Sequence, residues 1–168
     1  MSPSICWLCN LFRDGTNGIT SKICLDEVLQ WSQSFEKLMA TKHGRIIYRS
    51  YLKTEYSDEN IEFWLACESF KKISSQKKRI SVAQKLFQDY IQPQSPREIN
   101  IDSPTREAII MNIQKPTPSC FDEAQRIVYL HMERDSYPRF LGSEIYQSLL
   151  RGLSARRREP SVSIKETE

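Results

Sequence analysis

Only two histidines, His43 and His131, occur in 168 residues, and the five glycines are scattered. The first scarcity leaves little room for a hydrolytic triad, which needs a histidine beside its serine or cysteine. The second removes the glycine-rich loop that cradles phosphates. No apolar run approaches the ~18 residues of a membrane-spanning helix. The N-terminal run from Ile5 to Phe12 has no basic segment before it, and Arg13-Asp14 follows in place of a small-residue cleavage site, so no secretion signal is read. A dominant charge is missing too: the net value is +3, with the basic residues dispersed except at Arg156-Arg157-Arg158, which argues against a nucleic-acid partner. The five cysteines, Cys6, Cys9, Cys24, Cys67 and Cys120, are odd in number and irregularly spaced. They do not read as a disulfide framework, and a reducing, cytoplasmic setting is expected.

What is present is helical periodicity. Val28, Trp31, Phe35, Leu38 and Met39 follow the i, i+3, i+4 rule, with Gly44 at the place of a C-cap glycine and His43 beside it. Ile47, Tyr48, Tyr51 and Leu52 share a face, as do Phe63, Trp64, Cys67 and Phe70. Val82, Leu86, Phe87, Tyr90 and Ile91 form another stripe, ended by Pro93. Ser103-Pro104 and Thr117-Pro118 each read as a cap followed by a first-turn proline, predicting helices from about 104 and 118. Pro138 breaks or restarts the run that follows, and Ile145, Tyr146, Leu149 and Leu150 mark a closing helix. No alternating strand is seen. The expectation is an all-α single domain of about nine short helices over residues 25–153. It lies between an N-terminal segment, 1–24, and a polar, disordered tail, 154–168.

Candidate chemistry is sparse. "CWLC" at Cys6 and Cys9 is half a zinc site without its second half. Two alternatives stay open: an unstructured segment with two thiols, or acylated cysteines among Trp7, Leu8, Leu11 and Phe12 at a membrane surface. "EYSDENIEFWLA" has no glycine and turns apolar too early for a calcium loop. Ser57 is a good N-cap, and Asp58 and Glu59 suit the first turn of the helix that follows. Capping leaves Asn60 unexplained.

"EYSDENIEFWLACESFKK", "REINIDSPTRE", "CFDEAQ" and "MERDSYPRFLGSEIY", in this order and at these spacings, closely resemble the regulator of G-protein signalling family from about Trp31 to Leu150. The resemblance implies a nine-helix fold that binds the GTP-loaded α subunit of a heterotrimeric G protein, of the inhibitory and perhaps the Gq class, and accelerates GTP hydrolysis. It implies no catalytic residue and no cofactor, since GTP and Mg²⁺ belong to the partner. The implied contact residues are Glu55, Tyr56, Ser57, Glu59 and Asn60, then Glu98 and Asn100, then Asp135, Ser136 and Arg139. Asn60 would reach the switch glutamine, Asp135 would accept a switch amide, and Arg139 would support that arrangement. Asp102 and Ser103 also match the family and are read mainly as cap residues. The chain departs from many relatives at His131, where a leucine contacts the α subunit. Cys67 matches a helix cysteine that is acylated in some relatives; a buried thiol is the other reading. A monomer is expected, with the N-terminus able to bring it to the inner face of the plasma membrane. Arg156 to Arg158 ahead of Ser161 read as a solvated tail, or as a patch for a kinase or anionic lipid. The rival is a family-related scaffold that captures the α subunit without activating it.

Overall fold

Residues spaced to bury one helical face need a second face to bury it against, and the computed structural model, which describes residues 23–159, answers this with helices alone among the described residues. They are α1 (Leu25–Gln30), α2 (Phe35–Ala40), α3 (Lys42–Thr54), α4 (Glu59–Lys71), α5 (Gln76–Leu86), α6 (Ser103–Asn112), α7 (Asp122–His131), α8 (Tyr137–Leu141) and α9 (Glu144–Arg158). Two π-helical turns, π1 (Phe87–Ile91) and π2 (Met132–Ser136), extend α5 and α7. The chain divides into two compact units. One joins residues 23–48 with residues 139–159; the other is Arg49–Pro138.

In the first unit α9 packs on α1, and the Tyr146 hydroxyl donates to the Val28 carbonyl at 2.9 Å. Tyr48 stands edge-on to both Phe35 (5.6 Å) and Phe140 (5.3 Å), geometries that aromatic quadrupoles favour. The expected stripe of Val28, Trp31, Phe35, Leu38 and Met39 is buried. Gly44 is not a C-cap: it lies in the first turn of α3, where its N–H bonds Thr41 Oγ1 at 3.0 Å. A hydroxyl three residues earlier had opened a new helix there. The end of α2 is satisfied by Arg45, which donates to the Met39 carbonyl at 2.8 Å. His43 therefore serves no helix C-terminus; its Nδ1 sits 3.1 Å from Glu27 Oε1. The closing helix runs beyond Leu153 to Arg158, so part of the expected tail is ordered. Three arginines in the last turn suit the negative end of the helix dipole, and Arg157 reaches Asp26 at 3.4 Å.

The second unit is built on α4, which packs against α5 and α7. Phe63, Cys67, Phe70, Leu86, Ile91, Phe121 and Val128 form its core. Each buried side chain of this size contributes about 1.5–3 kcal/mol by leaving water. Phe121 meets Phe63 at 6.1 Å and Phe70 at 5.0 Å, edge to face. The cap before α6 is Asp102, not the Ser103 of the Ser-Pro pair: its Oδ1 accepts from the Thr105 N–H at 2.9 Å, Ser103 becomes the first helical residue, and the proline still falls in the first turn. Thr117-Pro118 instead opens a turn. Cys120 N–H bonds the Thr117 carbonyl and Asp122 N–H bonds that of Ser119, so α7 starts only at Asp122. At π2 the Tyr137 N–H reaches back five residues to the Met132 carbonyl. The wider turn precedes Pro138, which has no N–H to continue an α-helical ladder.

Candidate functional site

Three segments of the second unit carry most of the residues singled out above. The first is the turn between α3 and α4. Tyr56 adopts φ 55°, an uncommon conformation for a side-chain-bearing residue, and is 92% exposed. Glu55, half-buried, accepts from the Tyr51 hydroxyl. The expected cap by Ser57 is not made. Asp58 holds the N-cap position without a side-chain capping bond, and Ser57 Oγ is buried with no hydrogen-bond partner. The local rule failed because the helix begins one residue later and the Asp58 carboxylate faces an arginine. Glu59 opens α4 half-buried, and Asn60 in the same turn is 7% exposed.

The second segment leads from π1 to α6. Ile99 and Ile101 point inward while Glu98 and Asn100 are exposed between and beside them, as an extended chain requires. Glu98 also braces its own loop: it accepts from the Gln94 N–H at 3.0 Å and pairs with Arg106 at 3.5 Å. Gln94 is the second residue with positive φ, at 63°.

The third segment is the end of α7 with π2. His131 and Asp135, both exposed, lie one turn apart with Nε2 and Oδ2 4.0 Å from each other. With Ile127, Leu130 and Arg134 they line a hollow of about 300 Å³. Ser136 is 2% exposed, so the contact expected of it finds almost no surface to act through. Arg139, in α8, belongs to the other unit.

Two sets of contacts bring the three segments to one end of the second unit. Gln125 on α7 donates to the Trp64 carbonyl at 3.2 Å and to Glu68 at 2.6 Å, and the Trp64 and Tyr129 rings lie 6.3 Å apart. The helices are therefore antiparallel. One turn back from Trp64 stands Asn60, and about one turn on from Tyr129 stands Glu133, two residues before Asp135 in π2. From the middle segment, Arg97 reaches Asp58 at 3.5 Å and also pairs with Glu62. Neither Arg97 nor Glu62 stands out by motif or periodicity in the sequence. The available signal was a glutamate interrupting the apolar run between Ile61 and Phe63.

Burial holds two of the described thiols, Cys67 and Cys120, back from reaction. Cys67 is 1% exposed, and burial pushes its pKa well above the ordinary thiol range; Lys71 opposes that shift only in part. Acylation at Cys67 thus has no access in the folded chain. Cys120, half-buried, is pushed up to about 11, first by burial and then by Asp122. Cys6 and Cys9, with the rest of 1–22, lie outside the described residues, as does Ser161. Among the described residues there is no cluster of three or more metal-ligating side chains, and no helix long and apolar enough to cross a membrane.

A family model for the Regulator of G protein signaling domain matches residues 34–149. Regulator of G-protein signaling 13 from Homo sapiens is 63% identical over 155 residues, covering 92% of this chain and 98% of that relative. Regulator of G-protein signaling 8 from Homo sapiens is 47% identical over 140 residues, 83% of this chain and 78% of its own length. Regulator of G-protein signaling 1 from Equus caballus is 51% identical over 130 residues, 77% and 66% respectively.

Proposed function

The chain belongs to the regulator of G protein signaling family, and from that premise we propose that it binds the activated α subunit of a heterotrimeric G protein and speeds GTP hydrolysis there, ending the signal. The α subunit already holds an arginine in cis and a glutamine that orients the attacking water. A helper therefore need not touch the phosphate. It has to bind the switch segments more tightly in their transition-state arrangement than in the ground state, since only that difference lowers the barrier. Ordering mobile switch segments against a fixed surface achieves this.

The observation that carries the reading is the gathering of Asn60, the Glu98–Asn100 segment and Asp135 at one end of the second unit, by Arg97 and by the α4–α7 register. Asn60 supplies an uncharged group that both donates and accepts. Its near-complete burial leaves the amide little freedom. Asp135 supplies an exposed carboxylate for a switch amide, and Glu55, Tyr56, Ser57 and Glu59 complete the rim on one side. His131, 4.0 Å from Asp135, stands where many relatives carry leucine, and would shift the preference among α subunits or lower affinity slightly. The inhibitory and Gq classes are the partners proposed, GTP and Mg²⁺ entering with them, and the chain acts as a monomer. The N-terminal cysteines Cys6 and Cys9 would hold it at the inner face of the plasma membrane.

Single-turnover hydrolysis on a purified inhibitory-class α subunit loaded with GTP is the test. The chain should raise the rate by well over about ten-fold, the range in which transition-state contacts act. Binding to the GTP-loaded subunit without any change in rate would leave a scaffold in place of an activator.

A further inference from the structure

We propose that Arg97 is a positioning residue for the partner-binding surface: its guanidinium clamps the segment carrying Glu98 and Asn100 onto the first turn of α4, so that these residues and Asn60 meet a partner as one preformed unit. The proposal rests on the functional reading above and adds a residue that reading does not contain.

The start of α4 needs an external anchor. A helix N-terminus leaves backbone N–H groups without intrahelical partners, and a capping side chain normally takes one. Here Asp58 occupies the cap position but makes no capping bond, and Ser57 Oγ is buried without a partner. The residue before them, Tyr56, is in the left-handed region, a local cost that the surroundings must offset. The Asp58 carboxylate faces Arg97 Nη2 at 3.5 Å instead. The turn that holds Asn60 is thus tied from outside the helix.

Arg97 is itself held on several sides. Its N–H bonds the Asp89 carbonyl at 3.1 Å. Its guanidinium carbon lies 5.6 Å from the centre of the Tyr90 ring, within cation–π range, and Nη1 is 3.5 Å from the Tyr90 hydroxyl. The Tyr90 ring packs on Phe63 of α4 at 5.4 Å, and its carbonyl accepts from the Ile99 N–H at 2.9 Å. One side chain therefore links π1, the loop and α4. A planar, forked cation can meet two carboxylates in different directions, which an ammonium does less well.

Glu62 makes the clamp separable from the fold. Its side chain is 10% exposed and pairs with Arg97 and also with Arg49, whose Nε lies 3.1 Å away. Removing Arg97 leaves Glu62 with one cation, so no buried carboxylate is orphaned. The far side of the loop keeps the Ile99 N–H bond to Tyr90 and the bond from Arg106 Nε to the Ile91 carbonyl at 3.1 Å. Loss of Arg97 should loosen the surface without unfolding the unit.

A loosened surface must be ordered again when a partner binds, and that entropy lowers affinity without changing the contacts finally made. Arg97→Gln should therefore raise the concentration needed for half-maximal acceleration of single-turnover GTP hydrolysis by about ten-fold or more, with the plateau rate kept. Arg97→Lys should restore part of that shift, since the charge remains and the fork is lost. Arg126→Gln, which removes an exposed pair with Glu123 elsewhere in the unit, should change neither quantity. Without any partner present, amide hydrogen exchange in Arg97→Gln should quicken at residues 58–61 and 97–101 and stay unchanged in the middle of α7. An accelerating wild-type chain whose Arg97→Gln variant keeps its half-saturation and its exchange rates overturns the proposal alone. A wild-type chain with no effect on hydrolysis overturns the functional reading, and the proposal with it.

Discussion

Gln125 hands its side-chain amide to the backbone carbonyl of Trp64, 3.2 Å across the α4–α7 interface. The same nitrogen also meets Glu68, and Gln125 is 5% exposed. A buried amide is costly unless bonded, so this pair selects one sliding position of α7 on α4. That position decides which residues stand at the ends of the two helices. Asn60 is carried to the end where π2 presents Asp135.

Asn60→Ala should remove most of the acceleration of GTP hydrolysis while the protein stays folded. A loss of at least about ten-fold in plateau rate is expected, equal to ~1.4 kcal/mol of transition-state binding. Circular-dichroism melting alongside the assay should show a Tm close to that of the wild type. Full acceleration by this variant would falsify the role assigned to Asn60.

Binding should depend on the nucleotide state of the partner. Aluminium fluoride with GDP imitates the transferring phosphoryl group, so the α subunit in that state should bind much more tightly than the subunit with GDP alone. Titration calorimetry or a surface-binding assay can compare the two. Equal affinities would contradict selection of the transition-state arrangement.

Gly44→Ala should destabilise the first unit, although alanine is ordinarily the better helix former by up to ~1 kcal/mol. A β-carbon at Gly44 would lie 2.2 Å from the Leu38 carbonyl oxygen and 2.6 Å from Thr41 Oγ1. The first is backbone and cannot swing aside. A net loss of roughly 1–3 kcal/mol is expected from such overpacking, read as a lower urea midpoint. A midpoint that rises would show that the helix propensity outweighs the clash.

Thiol reactivity should follow burial. Cys24 is exposed, whereas Cys67 is enclosed with its pKa raised, so it offers neither access nor thiolate. A short pulse of iodoacetamide followed by peptide mass mapping should label Cys24 and leave Cys67 unmodified until denaturant is added. Comparable labelling of both in the folded chain would refute the burial of Cys67.

The raised Cys67 pKa and the sealed surface at Ser136 share one feature: each depends on burial by residues that sequence spacing does not relate. The turn at Thr117-Pro118 is local, held by bonds over three residues, but the cap-and-proline rule does not distinguish it from a helix start. The stripes at Val28–Met39 and Phe63–Phe70, the cap-and-proline start of α6 and the stop at Pro93 were all legible. Each follows from side chains a few positions apart acting on one helix. The candidate surface was legible as well, but only through the family's motifs; periodicity and capping left Asn60 without a role.

By itself the sequence determined an all-helical chain and the faces its helices bury, because helical period and capping chemistry act over one or two turns; the family was legible through its separated motifs. Tertiary structure alone decided that Asp58 turns from its own helix toward Arg97, 39 positions along the chain, and that Gln125 bonds the Trp64 carbonyl. Those outcomes depend on which surfaces meet and which charges they enclose, and such energies exist only once distant segments have packed.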